Sequence, residues 1–568
     1  MFINGKSVKS LIELISGYTR SRGSASYREL LEKLIAHLVA SGVPSDSIYV
    51  KEYACDGKTR YGNFTSTMIW EPVSAELWIS KPKEMFITSL RNSPNALLFG
   101  SAPTGGRVEL PLVEYEGPGD YSGKAVLAKE HPMKLFKETV VKSGAKAIIV
   151  SYMRGKCPEI GREPESNPNV VNYLSIPSTQ KDFEYGAFGF SVSEKKYNLL
   201  KEHIKGGNAW ITAEVDVKVS KGSLQVLEID LTRGSHMSYA LITAHLCHPY
   251  PGANDNASGA ALAVEIAKIV ALSEGFPPIK IVLLPEFYGS APYVLELKKN
   301  HELPSLSINL DMVGEDQTKT GSSMLLTETP PVLPKRFDFI IEYFLLKNIR
   351  RCDGIPVKKY YRIPYSAGSD HSVFSAMGIS SPFLGHLPDR FYHTDADNLD
   401  KVDCGELEWI GNSVLESLQN ISSPRLEVDL YVKSKAISEF VFYCEKMKEK
   451  PGSKELFKVF LQSYEAVKYG FSSLYSENAF ISSVTPLLPK FEGSIGFDWL
   501  SDLPEGILKP LKQNVTSLAE LITVVANIIG SRESAELFAS IYYDLPQDKV
   551  SEFVQFLIDK GYFVEGEF

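Results

Sequence analysis

Short apolar runs alternate with helix-like segments between about residues 222 and 422, and this alternation constrains the fold more than any other feature. The strand-like runs "SYALITAH", "IKIVLLPE" and "SLSINLDMVG" are separated by "ASGAALAVEIAKIVALSEG" and "SAPYVLELKKN", in which apolar residues have helical spacing. Repeated strand–loop–helix units form an α/β sheet with helices on its faces. The sequence therefore predicts a mostly parallel sheet flanked by helices.

Ionisable side chains lie where these predicted strands end. His245 ends the first run, Glu286 ends the second, and Asp311 lies at the end of the third. Asp255 lies in the turn "PGANDNASG", and His393 lies in the polar loop "RFYHTDADNLD". Ligands of open α/β sheets gather beyond the carboxyl ends of the strands, so we expect these side chains to meet there.

Histidine and carboxylate side chains in this arrangement are typical of a metal-dependent hydrolase. A catalytic zinc takes nitrogen and carboxylate ligands and keeps one position open for water. Carboxylates can also bridge two metals ~3.5–4 Å apart. A helix cap is the ordinary role of a residue placed like Asp255, and a buried core histidine is the ordinary role of one placed like His245. The occurrence of all five side chains favours metal binding, with His248 as an alternative to His245.

The rest of the chain has a different pattern of predicted secondary structure from this region. Two helix-like segments occupy residues 7–41, and short strands and turns dominate residues 84–218, which carry few residues suited to catalysis. We interpret the latter as an inserted β-rich domain that shapes a neighbouring cleft. After about residue 425, three helices and a terminal hairpin are predicted, as in a winged-helix module. The predicted divisions are 1–80 and 221–423 for the two parts of the main domain, 81–220 for the inserted domain and 424–568 for the C-terminal module.

Composition and charge exclude several classes of partner. The net charge of −9 and the pI near 5.7 argue against general binding to nucleic acid or to anionic membranes. No apolar run reaches the ~20 residues that span a bilayer, and the start of the chain has no signal-peptide pattern. Six cysteines without recurring spacing favour a reducing cytoplasm. The helices after residue 424 carry nearly balanced charge, so we expect them to mediate protein contact, and the chain to be a homo-oligomer, rather than to bind DNA.

Five motifs in order resemble the zinc-dependent aminopeptidases of the MH clan, which include bacterial aminopeptidases and glutamate carboxypeptidase. The motifs are "AHLCHPYPGANDNASG", "LPEFYGS", "NLDMVG", "GSDHSVF" and "YHTDADNLD". The resemblance covers about residues 5–75 and 222–422. The segment 84–218, with "GDYSGKAVLAKE" and "SGAKAIIVSY", resembles the protease-associated domain that is often inserted in this family.

The resemblance implies a role for each motif residue. His245 and Asp311 would bind a first metal, Asp255 would bridge both metals, and His393 would bind the second. Asp370 of "GSDH" would be a supporting residue near the pocket and not a ligand. The implied cofactor is zinc, one or two ions per chain, or another divalent metal.

Two positions differ from the family pattern. The family usually has a carboxylate two residues after the histidine of "AH", where this chain has Cys247 followed by His248. The family also has paired glutamates, one as general base and one as ligand of the second metal, where "LPEFYGS" has Glu286 alone. The two roles therefore compete for Glu286, and we favour the base.

The resemblance implies a metal-dependent exopeptidase that removes the N-terminal residue of short peptides. Two other interpretations stay open at this point. One is a degenerate peptidase fold that binds a ligand or partner without catalysis, which the missing second glutamate favours. The other is a metal amidohydrolase that acts on a non-peptide amide, since the motifs do not describe the walls of the pocket.

Overall fold

The computed structural model describes residues 2–234, 238–470, 475–482, 485–511 and 515–565. The strands in these ranges are β1 (Ile48–Cys55), β2 (Arg60–Tyr61), β3 (Phe64–Thr65), β4 (Ile69–Lys81), β5 (Met85–Ser89), β6 (Val108–Glu114), β7 (Ala125–Ala128), β8 (Ala147–Val150), β9 (Phe188–Ser191), β10 (Trp210–Ser220), β11 (Gly222–Leu231), β12 (Ala240–His245), β13 (Ile279–Leu284), β14 (Leu306–Leu310), β15 (Ser323–Thr327), β16 (Arg351–Cys352), β17 (Ile355–Pro356), β18 (Tyr360–Ile363), β19 (Phe383–Leu387), β20 (Leu487–Pro489) and β21 (Phe563–Glu565).

The helices of the same ranges are α1 (Gly5–Ser16), α2 (Ala25–Ala40), α3 (Pro132–Leu135), α4 (Gln180–Phe183), α5 (Glu194–Lys205), α6 (Gly259–Ala271), α7 (Ser290–Lys299), α8 (Gln317–Thr320), α9 (Arg336–Asn348), α10 (His371–Ala376), α11 (Cys404–Ser422), α12 (Leu426–Met447), α13 (Ser453–Ser463), α14 (Ala466–Tyr469), α15 (Glu505–Leu511), α16 (Val515–Ile529), α17 (Arg532–Tyr543) and α18 (Gln547–Asp559). Single helical turns also follow α3 and precede α6. In the described part of the chain, every helix is too short or too polar to cross a lipid bilayer.

An eight-stranded sheet forms the centre of the main domain, in the order β1-β11-β13-β12-β14-β19-β15-β18. Its central strands β13, β12, β14 and β19 are parallel. On one side β11 pairs antiparallel with both β13 and β1, and on the other side β15 pairs antiparallel with β19. The predicted fold class, a mostly parallel sheet flanked by helices, is confirmed. β12, β13 and β14 are parallel because the helices α6 and α7 cross between them.

Both faces of the central sheet are buried, which explains why its strands read as continuous apolar runs. In β12, Leu241 packs with the core beneath α7 and α10, while Ile242 and Ala244 pack with the larger core beneath α1, α6 and α11. Successive side chains of a strand point to opposite faces. Polar side chains of these strands are therefore expected only at the strand ends, and the predicted ligands lie there.

A second sheet has seven strands in the order β5-β4-β10-β6-β7-β8-β9 and its own hydrophobic core. Its long strands β4 and β10 pair antiparallel from Lys81 opposite Trp210 to Ile69 opposite Ser220. β11 follows β10 almost directly and enters the main sheet. These two adjoining strands hold the second sheet beside the main one, while the domain boundaries and the protease-associated assignment stay predictions.

The chain after residue 424 is largely helical, as predicted, but the expected terminal hairpin is wrong. β21 pairs antiparallel with β20, which precedes the last four helices, α15 to α18, instead of adjoining β21 in sequence. A local pattern cannot identify this partner because the strands are brought together by the helices between them. Residues 566–568 of the predicted end lie outside the described residues. The winged-helix assignment stays a prediction.

The C-terminal helices pack against the main domain. α12 packs on α9, and α16 packs on α10. The hydroxyl of Tyr542 donates to Glu328 Oε1 at 2.6 Å, and that of Tyr543 donates to the Tyr365 carbonyl at 2.7 Å. The Tyr542 contact is buried and the Tyr543 contact is partly buried. Buried apolar residues of this region belong to the same core as those of the main domain.

Candidate metal centre

The structure brings all five predicted side chains together at the carboxyl ends of the central strands. Together with His248 they form two groups of three that could hold a metal ion, with candidate ligand atoms within 4.8 Å of one another in each group. The first group is His245, Glu286 and Asp311, and the second is His248, Asp255 and His393. His248, which the sequence offered as an alternative to His245, is thus a member of a different group.

His245 in the first group is oriented by a backbone carbonyl. Its Nδ1 donates to the carbonyl oxygen of Cys247 at 3.1 Å, which leaves Nε2 facing Asp311 Oδ1 and Asp255 Oδ1, each at 3.2 Å. A histidine that binds metal usually donates its other ring nitrogen to a carboxylate or a carbonyl. The Cys247 carbonyl fills that role here.

Asp255 faces both groups. Its Oδ1 lies 3.2 Å from His245 Nε2, while its Oδ2 lies 3.0 Å from His393 Nε2 and 3.5 Å from His248 Nε2. Burial opposes its ionisation, but the three histidines outweigh burial and hold the pKa of Asp255 well below its usual range. An ionised carboxylate between two histidine-bearing groups is the arrangement of a bridging ligand.

Asp397 supports the turn that carries Asp255. Its two carboxylate oxygens accept hydrogen bonds from the backbone N–H groups of Asn254 at 2.8 Å and of Asp255 at 3.0 Å. Burial raises the pKa of Asp397 to about 8. Sequence reasoning missed this residue, although it lies in the "YHTDADNLD" motif, because nothing local distinguishes it from the other acidic residues there.

The loop that carries His248 is held by Arg20, another residue that sequence reasoning missed. The fully buried guanidinium of Arg20 donates to the carbonyl oxygens of Leu246 at 2.8 Å, Pro251 at 3.1 Å and Gly252 at 3.0 Å. The backbones of Arg20 and His248 also exchange hydrogen bonds. The connection between α1 and α2 therefore positions the second group.

Glu286 is half-buried and its backbone is anchored on both sides. Its N–H donates to Cys247 Sγ at 3.2 Å, and the N–H of Phe287 donates to Asp370 Oδ1 at 2.8 Å. Ser290 Oγ donates to the same oxygen of Asp370 at 2.6 Å. Asp370 lies outside both groups. It supports the turn that presents Glu286.

The electrostatics of the centre are dominated by crowded, buried carboxylates. Burial and the charges of Asp311 and Asp370 raise the pKa of Glu286 well above its usual range. Burial opposes the protonation of His245, but Asp311 and Glu286 outweigh it and raise the His245 pKa well above its usual value. Burial lowers the pKa of His393 to about 4, which leaves it a neutral ligand at physiological pH. A divalent cation would offset this excess of negative charge.

Two buried atoms of the centre make no hydrogen bond to the described residues: Nε2 of His248 and Oδ1 of Asp311. Each meets only another candidate ligand, His248 Nε2 at 3.5 Å from Asp255 Oδ2 and Asp311 Oδ1 at 3.2 Å from His245 Nε2. The other oxygen of Asp311 accepts from Ser369 Oγ at 2.7 Å. Buried polar groups without hydrogen bonds are rare. Imidazole nitrogens and carboxylate oxygens are ligands that zinc prefers, so the residues present fit zinc.

Comparison with known proteins relates this centre to one peptidase family. Residues 229–418 match the model of peptidase family M28. A "Putative polysaccharide biosynthesis protein with aminopeptidase-like domain" of Clostridium acetobutylicum is 25% identical over 251 residues, which cover 43% of this chain and 53% of that protein. The aminopeptidase YwaD of Bacillus subtilis is 22% identical over 350 residues, 56% of this chain and 68% of that one. The matched part of the chain thus spans about half the length of the first of these relatives.

Solved structures show the same fold. A "putative peptidase" of Clostridium acetobutylicum is similar at a TM-score of 0.52 and 16% identity, covering 99% of this chain and 96% of that one. A zinc aminopeptidase of Bacillus subtilis is similar at a TM-score of 0.54 and 17% identity, covering 74% of this chain and 95% of that one. The family resemblance of the five motifs is confirmed. The protease-associated and winged-helix assignments are not tested by these matches.

Proposed function

We propose that the M28-family domain of this chain is a zinc-dependent exopeptidase that hydrolyses the N-terminal peptide bond of short peptides. One observation carries the proposal: Asp255 directs one oxygen to His245 and the other to His248 and His393. A half-buried carboxylate, Glu286, lies beside this bridge. A bridging ligand with a neighbouring base is the arrangement that two-metal hydrolysis requires.

Each zinc ion would have three protein ligands. His245, Asp255 and Asp311 would hold the first, and His248, Asp255 and His393 would hold the second. Bound zinc would polarise the scissile carbonyl and lower the pKa of water. His248 would replace the second glutamate of the family pattern, so Glu286 is not needed as a ligand of the second metal.

Glu286 would act as the general base. It would accept a proton from the attacking water and deliver it to the leaving amine. The hydrogen bond from the N–H of Phe287 to Asp370 would keep the turn of Glu286 in place during this transfer.

A second candidate function is hydrolysis of a non-peptide amide. The relative from Clostridium acetobutylicum is named for polysaccharide biosynthesis and carries an aminopeptidase-like domain. Such an enzyme would use the same metals and base, because the chemistry of amide cleavage is shared. The two candidates differ only in the substrate that the pocket accepts.

Zinc analysis and a substrate panel test the proposal. We expect two zinc ions per chain and hydrolysis of aminoacyl anilides and dipeptides that is lost with a chelator and restored by zinc. His245→Ala should lose zinc and activity, whereas His203→Ala, in α5 and outside both groups, should keep both. Cleavage of acyl amides alone would favour the second candidate. Unchanged zinc content in His245→Ala would contradict the proposed centre, and a chain without zinc or hydrolysis would be a non-catalytic binding protein.

A further inference from the structure

A cavity of about 190 Å³ adjoins the second metal group. Its lining is apolar, aromatic or neutral polar, and Trp70, Leu97, Phe99 and Tyr250 contribute the larger side chains. Tyr173 joins the cavity to the metal group, since its ring centroid lies 5.1 Å from that of His248 and 5.2 Å from that of His393. A substrate bound at the metals therefore has an apolar compartment within reach.

Arg22 lies against the wall of this cavity as a fixed cation. Its guanidinium lies 4.7 Å from the ring centroid of Phe99 and 4.2 Å from that of Tyr288. Its Nε donates to Thr67 Oγ1 at 2.8 Å. Two aromatic rings and one hydrogen bond define the plane of the guanidinium. Among the described residues, none accepts a hydrogen bond from Nη1 or Nη2 of Arg22.

The charge of Arg22 is not neutralised by the protein. In the described ranges, no carboxylate oxygen lies within 4.0 Å of its nitrogens. Arg20, two residues earlier, instead donates its guanidinium hydrogens to backbone carbonyls and is fully buried. Arg22 is only half-buried, so a small anion can reach it.

Arg22 is close to the groups that would perform the chemistry. Phe99 lines the cavity, and Tyr288 follows Glu286 by two residues. Burial raises the pKa of the Tyr173 hydroxyl, and the charge of Arg22 opposes this rise, so the guanidinium lies within electrostatic reach of that hydroxyl. Arg22 thus contacts both the cavity wall, through Phe99, and the segment that carries Glu286, through Tyr288.

We propose that Arg22 binds a carboxylate of the substrate while an apolar side chain of the same substrate occupies the cavity. The favoured substrate is then a short peptide, such as a dipeptide, with a free carboxylate and an apolar residue. Arginine presents paired donors that match a carboxylate, and such charge-assisted hydrogen bonds are strong. The contact also offsets repulsion between a substrate carboxylate and the acidic metal centre. This inference rests on the proposed hydrolase function.

Matched substrates test the inference in the zinc-loaded full chain. Leucyl-phenylalanine and leucyl-phenylalanine amide differ only in the carboxylate. We expect kcat/KM to be higher for the free carboxylate, and Arg22→Met to lower it about 10–100-fold for that substrate while changing the amide less than about threefold. Arg22→Lys should lose part of the preference, because lysine keeps the charge but not the paired donors. Arg60→Met is the control, since Arg60 also stacks on an aromatic ring, 4.4 Å from that of Phe491.

Equal losses on both substrates in Arg22→Met would show that Arg22 only packs Phe99 against Tyr288, and would overturn the inference. A wild-type protein that cleaves leucyl-phenylalanine and its amide equally well would also overturn the inference. If no peptide is cleaved, the proposed function fails, and equilibrium binding of N-acetyl-phenylalanine and its amide, with and without chelator, tests Arg22 alone. Binding of the acid that is stronger than that of the amide and is lost in Arg22→Met would support the subsite. Equal binding of acid and amide would overturn it.

Discussion

Replacing Glu286 by glutamine separates the two roles that the sequence left in competition. Glutamine has nearly the same shape but cannot accept the proton of the attacking water. The turn should persist, because its anchors are backbone N–H groups that donate to Cys247 Sγ and to Asp370 Oδ1. We therefore expect Glu286→Gln to fold normally and to lose turnover.

The size of the effect follows from the ligands that remain. Without Glu286, the first metal would keep His245 and Asp311, the second would keep His248 and His393, and Asp255 would still face both. Zinc content should therefore stay at the wild-type value. Loss of a general base costs about 10²–10⁴-fold in rate, which corresponds to about 3–5 kcal/mol in the activation barrier.

Zinc content is measured by elemental analysis, and turnover is measured by steady-state kinetics on one aminoacyl anilide, both on the same preparation. His248→Ala is the matched variant and should lose one zinc equivalent. Full turnover of Glu286→Gln would refute the base. If Glu286→Gln instead loses one zinc equivalent while His248→Ala keeps both, then Glu286 is the ligand and the assignment of His248 is wrong.

Three further perturbations test the supporting structure. Asp397→Asn removes one of the oxygens that accept from the turn of Asp255, so zinc affinity measured by chelator competition should fall about 10–100-fold, and unchanged affinity would contradict the support. Burial raises the pKa of Glu520 from 4.5 to about 7, so the free energy of unfolding should fall as pH rises between these values. Urea unfolding at pH 4 and pH 8 should show a difference of about 3 kcal/mol from this group in the wild type, and Glu520→Gln should remove it. Equal pH profiles of the wild type and the variant would contradict this prediction. Lys335→Met removes the buried cation that Glu328 and Asp338 share, and should lower the free energy of unfolding by about 3–5 kcal/mol. Lys6→Met, at an exposed position, should leave the free energy of unfolding unchanged. A stable Lys335→Met variant would show that Arg362 alone neutralises Glu328.

Properties of single segments could be read from the sequence. The alternation of apolar runs and helical spacing predicted β12, β13 and β14 and the crossovers between them, because burial on both faces requires apolar residues in each strand. His245, Glu286 and Asp311 followed from the same reasoning, since parallel strands end at one edge. The place of a residue at a strand end is local information.

Contacts between distant segments were decided only by the tertiary structure. His248 joins Asp255 and His393 in one group because Arg20, from the connection between α1 and α2, holds the loop in place. The support of Asp255 by Asp397 and the pairing of β20 with β21 also depend on the path of the chain between them. Side chains separated by tens or hundreds of residues meet through packing of the elements that carry them, and a local sequence pattern contains no record of that packing.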